Sequence, residues 1–409
     1  MSLQTDAGEI YKYAIECVDP YRETASAIEK TLPNESGITV FAIGKAAVPM
    51  ARAAEDTLGD RIKIGLCVTK YGHSNGFSPT GFEIIEAAHP VSDENSIRAA
   101  RRALEIADAL GASDTVLVLL SGGASSLFED STVSPERQRR ITEKLLRRGA
   151  DIEETNAVRR RLSLVKGGRF AERCFPARVV TLALSDVLSN DKSVIGSGIT
   201  VRDETDFGFV GAAAEKYLYD EGSDLFGLLE KQERKPMNDG GYYFVGDITR
   251  LCSAAAAKAR ELGYTTEVSD TLLTGDAQKA AESVIKHALN GSDGKKRCFI
   301  YGGETTVTVK GNGLGGRNQE MALHAALLLD GKENVLFASV GSDGTDGPTD
   351  AAGGISDGST AEKIRKAGFD PAKMLENNDS YHALKAAEGL VITGPTGTNV
   401  NDLTFVLTQ

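Results

Sequence analysis

Positive charge is scarce in this 409-residue chain: 46 Lys and Arg face 58 Asp and Glu, for a net charge of −12 and a pI near 5.1. A nucleic-acid binder needs a basic face to neutralise phosphates, so that class is excluded. A small anionic substrate is not excluded, but an acidic protein that holds one must gather a few cations or amide N–H groups locally, against its own field. Cysteine is scarce too. Cys17, Cys67, Cys174, Cys252 and Cys298 are odd in number, far apart and free of any C-x-x-C pair, which argues against a disulfide framework and a zinc site. No run of about 18 apolar residues occurs, and the start "MSLQTDAGEIYKYAIECVDP" lacks a basic segment followed by an apolar one. The expectation is a soluble, cytoplasmic protein with no membrane partner. A Walker motif is missing as well; "GGISDGST" (353–360) has the glycines but no Lys before Ser359.

What is present suggests two domains, on a prior of about 150 residues each. The 44 glycines exceed the usual share of roughly 7%, so many backbone positions must turn tightly or approach a ligand. Short Val/Ile/Leu-rich runs at 38–43, 62–68, 83–88, 115–120 and 178–184 alternate with longer helical patterns, the signature of an α/β domain with a mainly parallel sheet. Residues 93–110 repeat apolar positions at helical spacing, and Ser134 with Pro135 opens a further helix over 134–149. The polar stretch "EKQERKPMNDGG" (230–241) has no apolar period and sets the boundary between domains 1–235 and 236–409. The second domain is expected to hold strands at 242–247, 296–303, 305–311, 335–341 and 402–408, with helices at 250–263, 276–291 and after Arg317.

In open parallel sheets, ligands bind beyond the carboxyl ends of strands. Gly44-Lys45, Thr69-Lys70, Ser121-Gly122-Gly123 and Ser185-Asp186 each follow a predicted strand, so they should converge on one edge. Lys45 opens a helical pattern, which aims its ammonium and a helix N-terminus at the same place. The N–H groups and hydroxyls of Ser121, Gly122, Gly123 and Ala124 are suited to cradle phosphate. In the basic stretch 155–173, Lys166 beside Gly167-Gly168 is the best candidate for the site, and the other cations read as a solvated helix face. The five histidines are scattered, and His324 reads as a packed residue rather than a base.

"VKGNGLGGRNQE" (309–320) has the G-x-G-x-x-G spacing of a dinucleotide turn, which would make the protein a reductase. Two details oppose it. Thr306 to Val309 alternate polar with apolar, unlike a central strand buried on both faces, and the following helix starts with Arg317, Asn318, Gln319 and Glu320 instead of packing residues. The preferred reading is a loop that presents Arg317 and backbone N–H groups to a phosphate. Asp343, Asp346, Asp350 and Asp357 lie among glycines without the order of a calcium loop. Asp343 and Asp346 are the candidates to hold Mg²⁺ against substrate phosphates, and at least two of the four are expected to be turn formers. The amides of "GPTGTNVND" (394–402) suit either an anion nest or a plain tight turn.

"FAIGKAA", "LSGGASS", "TNAVRRRLSLVKGGRFA", "LSDV" with "SVIGSG", "GGETTVTVKGNGLGGRNQE", "SDGTDGPTDAAGG", "NDSYHAL" and "TGPTGTNVNDL" occur in this order along essentially the whole chain. Together they resemble glycerate 2-kinases of the MOFRL type. Two departures, "SGI" at 197–199 without a following proline and "SGGASS" without a third glycine, touch loop shape. The resemblance implies ATP- and Mg²⁺-dependent phosphorylation of D-glycerate to 2-phosphoglycerate and ADP. It also implies a larger Rossmann-like N-terminal domain, a smaller mixed α/β C-terminal domain and an active site in the cleft between them. It matches Lys45 and Arg317 to key active-site residues. Asp186 is the candidate to accept or orient the hydroxyl proton, with Asp343 or Asp346 as the second choice, and Gly44, Ser121 to Ala124, Lys166, Glu304, Gly316, Asn318 and Asn399 are expected contacts for substrate and phosphate. The partners are then small molecules, and a homo-oligomer stays open. The rival enzyme reading is an NAD(P)H-dependent hydroxypyruvate reductase; the rival of another class is a non-catalytic nucleotide or sugar-acid binding protein.

Overall fold

The computed structural model describes residues 2–74, 76–77, 79–230, 234–292 and 294–409. They form two compact units. The first comprises Thr24–Leu184 and Asn190–Val245 and is built on β1 (Ile38–Ile43), β2 (Ile62–Lys70), β3 (Phe82–Ala87), β4 (Thr115–Leu120), β5 (Arg178–Leu184) and β6 (Asn238–Gly246). The sheet is parallel, in the order β3-β2-β1-β4-β5-β6. All five apolar runs read from the sequence are strands here. β1 and β4 are buried along their whole length, which is why their sequences are continuously apolar. Ile43 lies opposite Val68 on one side and Leu120 on the other. The order therefore reverses between β1 and β4, the switch point at which such sheets bind ligands.

Side-chain caps start two helices of this unit, the second at the predicted Ser134. Asp93 accepts the Ser96 N–H at 2.9 Å to start helix Glu94–Asp108, and Ser134 accepts the Arg137 N–H at 3.3 Å to start helix Pro135–Arg147. Ile141, Leu145, Val158, Leu162, Val210 and Leu225 form a separate helical core in this unit.

The boundary differs from the one read in the sequence. Part of the polar stretch 230–241, residues 231–233, lies outside the described residues; its end, from Asn238, begins β6. That strand is the edge of the first unit's sheet, and its first part is exposed or half-buried, so it needs no continuous apolar run. "YYFV" thus completes the first unit instead of opening the second.

The second unit comprises the chain up to Glu23, Ser185–Ser189 and Gly246–Gln409. Helix Leu3–Glu16 buries Ala7, Ile10, Tyr11 and Ala14, an i, i+3, i+4, i+7 stripe. Its polar side is tied down within the same unit: Tyr264 Oη donates to Asp6 at 2.7 Å, and Lys258 pairs with Glu9 at 3.3 Å. The N-terminal residues, assigned by chain order to 1–235, therefore fold with the C-terminal unit.

The strands here are β7 (Thr265–Val268), β8 (Leu273–Asp276), β9 (Arg297–Thr306), β10 (Val335–Gly341), β11 (Gly353–Asp357), β12 (Leu390–Val391) and β13 (Asp402–Thr408). They run in the order β12-β11-β10-β13-β9-β7, with β8 also on β9. The sheet is mixed: β9, β13, β10 and β11 pair antiparallel, while β7 and β8 pair parallel with β9. Val284, Phe299, Met321, Phe337 and Val406 belong to the core between this sheet and its helices. The separate strand expected over 305–311 does not exist. β9 runs on to Thr306 for as long as β8 pairs with it, and a loop takes over from 307.

Candidate functional site

In the first unit the site forms at the switch point. Gly44, with φ 131°, adopts a conformation that L side chains rarely reach, and a Cβ there would run into Ser121. The Lys45 N–H donates to the Gly122 carbonyl at 2.9 Å, the Ser121 N–H to the Ile43 carbonyl at 3.0 Å, and the Ala46 N–H to Ser121 Oγ at 3.0 Å. The two loops are thus locked edge to edge. Ser121 is used up in this joint, so its N–H, expected to face a ligand, does not. The N–H groups of Gly122, Gly123 and Ala124 have no acceptor among the described residues. The half-buried Lys45 side chain makes no hydrogen bond or ion pair among them either.

Lys166 is a different kind of cation. It is wholly buried in an ion pair with Glu129, whose other oxygen accepts from Ser163 Oγ at 3.0 Å. Burial pulls its pKa down to about 7. The ammonium expected to meet substrate is committed to this internal carboxylate, which nothing in the sequence pattern signalled. Removing one member of a buried pair costs about 3–5 kcal/mol, whereas an apolar replacement of both is often neutral. Lys166→Met is therefore expected to lower the thermal midpoint by roughly 10 °C, and Lys166→Met with Glu129→Leu to recover most of it. Thermal unfolding followed by circular dichroism checks both; an unchanged midpoint in the single variant would show that the pair is dispensable.

In the second unit the glycine motif is occupied by protein. Asn378 Oδ1 accepts the N–H groups of Lys310 and Gly311 at 2.7 and 3.1 Å, and Asn377 Oδ1 accepts that of Asn312 at 3.1 Å. Gly313 N–H donates to the Asn377 carbonyl at 2.9 Å, and Leu314 N–H to Asp379 Oδ1 at 3.1 Å. A Cβ on Gly311 or Gly313 would collide with residues 377–379. The glycines are there because this loop packs directly against the backbone and side chains of residues 377–379. They offer no open cradle to a pyrophosphate, and the expectation that this loop lends its N–H groups to a phosphate is corrected for 310–314.

The polar start of helix Arg317–Leu328 is also internal. Asp346 accepts the N–H groups of Asn318 and Gln319 at 3.2 and 2.8 Å and caps the helix from a distant loop. Asn318 Nδ2 and Gln319 Nε2 add bonds to the same carboxylate, and Ser339 Oγ donates to Asn318 Oδ1 at 2.6 Å. Gly316 is glycine because a Cβ would strike Asp346.

Arg317 alone of that start reaches outward, with its side chain 33% exposed. Its Nε and Nη2 clasp the buried Asp402, the latter at 2.9 Å, and Nη1 lies 3.3 Å from Glu304. Asn401 Nδ2 donates to Glu304 Oε2 and to the Asp186 carbonyl, both at 3.0 Å. The structure thus brings Arg317, Glu304 and Asp186 together and adds Asn401 and Asp402, for which the sequence pattern predicts no contact with them. The signal for Asp402 was its place at the start of a buried strand, where a carboxylate requires a cation. Burial opposes the charge on Arg317, but Asp402 and then Glu304 outweigh it and hold the guanidinium above its ordinary range. Burial likewise drives Asp402 up to about 6, with Arg317 pulling the other way. Asn399 accepts the Asn401 N–H at 3.3 Å and so shapes this corner.

The two metal candidates separate. Both oxygens of Asp346 are filled by amide donors, so it does not fit a divalent cation. Asp343 Oδ1 accepts the Thr345 N–H at 2.9 Å, the turn-forming role, while Oδ2 has no partner among the described residues. No cluster of three or more His, Cys, Asp or Glu that could hold a metal occurs among the described residues. Mg²⁺ bound with a nucleotide needs only one or two carboxylates beside the phosphates, and Asp343 fits that need. No helix among the described residues is long and apolar enough to cross a membrane.

Residues 6–224 match the family described as a domain of unknown function, DUF4147, and residues 297–402 match the MOFRL family. The chain is 48% identical to D-glycerate 2-kinase of Thermotoga maritima over 98% of its own length and 97% of the relative's. The crystal structure of glycerate kinase from Thermotoga maritima superposes with a TM-score of 0.93 at 47% identity, covering 100% of this chain and 99% of the other. A protein of Agrobacterium vitis that carries the provisional name hydroxypyruvate reductase is 36% identical over 97% of this chain and 93% of its own. The chain belongs to the MOFRL-type glycerate 2-kinase family.

Proposed function

We propose that the protein transfers the γ-phosphoryl group of ATP to the 2-hydroxyl of D-glycerate, giving 2-phosphoglycerate and ADP. The observation that carries the reading is a lysine, Lys45, with no ion pair among the described residues, at the switch point of a β3-β2-β1-β4-β5-β6 sheet, in a chain that aligns end to end with a D-glycerate 2-kinase. The C2 oxygen bonds to the γ-phosphorus as the bond to the β-phosphate oxygen breaks, and the hydroxyl proton passes to Asp186. Catalysis rests on positioning and on charge stabilisation of the equatorial oxygens. Lys45 and Arg317 supply positive charge, the N–H groups of Gly122 to Ala124 hold anionic oxygens, and Glu304 and Asn399 set the geometry around Arg317. Gly44 and Gly316 serve by allowing close backbone approach. Lys166 and Asn318 support the site from within rather than touching substrate. Asp343 would hold the Mg²⁺ of the nucleotide, and that ion would supply charge neutralisation at the phosphates.

Purified protein with ATP, Mg²⁺ and D-glycerate, coupled to enolase with no mutase present, tests the reading directly. A signal reports 2-phosphoglycerate. ADP without that signal points to another hydroxyl or substrate, and NADH oxidation by hydroxypyruvate would overturn the kinase reading.

The raised Asp402 pKa predicts an acid limb. Asp402 is ionised above about 6 and anchors Arg317 there; as pH falls through that value the carboxyl protonates and the clasp is lost. kcat is expected to fall on the acid side with a midpoint near that pH, and Asp402→Asn to flatten the limb. A pH profile of kcat in wild type and variant checks it.

A further inference from the structure

We propose that His89 and Lys70 extend the corner around Lys45 into an oxyanion-binding subsite, in which the imidazole donates an N–H to a substrate carboxylate or phosphate oxygen. The proposal deepens the kinase reading and rests on it. In the strand order β3-β2-β1-β4, His89 follows the end of β3, Lys70 is the last residue of β2, Lys45 follows β1 and Gly123 follows β4. Four neighbouring carboxyl ends thus bring these residues to one edge. Their proximity is measurable at Gly123. A Cβ there would lie 3.0 Å from His89 Cδ2, 3.3 Å from His89 Nε2 and 3.2 Å from Lys45 Cγ, so only glycine leaves this corner open to the ring and the lysine stem together.

The groups in the corner have no counterion among the described residues. His89 is half-buried, yet its ring makes no hydrogen bond among the described residues, and neither Lys45 nor Lys70 has an ion pair there. Glu86, the carboxylate near the end of β3, accepts the Ser74 N–H at 3.0 Å. Burial, and then Lys45, Lys70 and His73, hold His89 below the usual histidine range. No carboxylate is among these influences. Two ammonium groups without an ion pair among the described residues, in a chain of net charge −12, make a local positive field that a bound oxyanion would relieve. A neutral imidazole still supplies one N–H donor.

The test uses His89→Phe, which keeps a planar ring and removes the donor, and His89→Gln, which restores an N–H. His89→Phe is expected to raise KM for either D-glycerate or ATP by about 10-fold or more, the loss of one hydrogen bond to a charged group. kcat should change much less, and His89→Gln should recover most of the affinity. A shift confined to D-glycerate assigns the carboxylate, and one confined to ATP assigns a phosphate. Both KM values staying within about two-fold of wild type would overturn the subsite. Independently, the His89 ring C–H signal, identified in proton NMR by its loss in His89→Phe, should move on titration with D-glycerate, ATP or inorganic phosphate; a signal moved by none of the three also overturns it. If the wild type fails to phosphorylate D-glycerate, the kinase reading fails by itself, and the inorganic phosphate titration still decides the subsite.

Discussion

Lys45→Met is expected to reduce kcat by about 100- to 1,000-fold while leaving the thermal transition where it is. Removing one preorganised donor aimed at charge developing in a transition state costs that much in comparable sites. The expected indifference of stability has a specific cause: what Lys45 does for the fold is done by its backbone, through the N–H bond to the Gly122 carbonyl at 2.9 Å, and its ammonium holds no partner among the described residues. A methionine keeps the unbranched stem that packs near Gly123 and removes only the charge. Lys45→Arg should not restore the rate, because a planar fork on a longer side chain cannot occupy the position of a compact ammonium. Steady-state rates with D-glycerate, alongside thermal unfolding, decide the matter. Near-normal turnover in Lys45→Met would remove this residue from the mechanism.

Arg317→Ala carries the second large effect and differs in kind, since this side chain is bound on both sides. A kcat loss of the same order is expected, but here with a fall in stability. Removing the guanidinium leaves Asp402 buried without its cation. That costs about 1–3 kcal/mol, less than for a fully enclosed pair, because Arg317 is partly exposed and the carboxyl can take up a proton. Asp402→Asn separates the two roles: it keeps the guanidinium but loosens it, so the rate should fall by roughly 10-fold, well short of the Arg317→Ala loss. Arg317→Lys should resemble alanine more than wild type, since an ammonium cannot make the bidentate clasp and reach outward at once. If Arg317→Ala lowered stability alone, with kcat intact, the residue would be a buttress for Asp402 and the phosphate assignment would fall.

Much of this was legible one residue at a time. The apolar runs of the first unit carried their own evidence, most clearly β1 and β4, whose burial along the whole length demands a nearly continuous apolar sequence, and the N-cap at Ser134 was equally plain. Lys45 stood out for the same local reason: a cation immediately after such a strand has few structural uses. The glycine motif was legible only by half. Its flanks argued against a dinucleotide turn, but the occupant of its N–H groups, the loop of Asn377, Asn378 and Asp379, lies more than 60 positions away and leaves no periodic trace. Asp346 misled for a related reason. A lone aspartate among glycines looks the same whether it caps a helix from afar or faces a metal.

What the sequence by itself determined is therefore the set of elements buried by their own pattern, the α/β class, and the cations that an acidic chain places at strand ends. What only the tertiary structure decided is which polar groups are already paired. It set the commitment of Lys166 to Glu129, the clasp of Arg317 by Asp402, the capping of helix Arg317–Leu328 by Asp346, and the inclusion of the first 23 residues in the second unit. The physical reason is that hydrophobic burial is written in local periodicity, whereas a hydrogen bond or ion pair satisfies a buried polar group equally well from any distance along the chain.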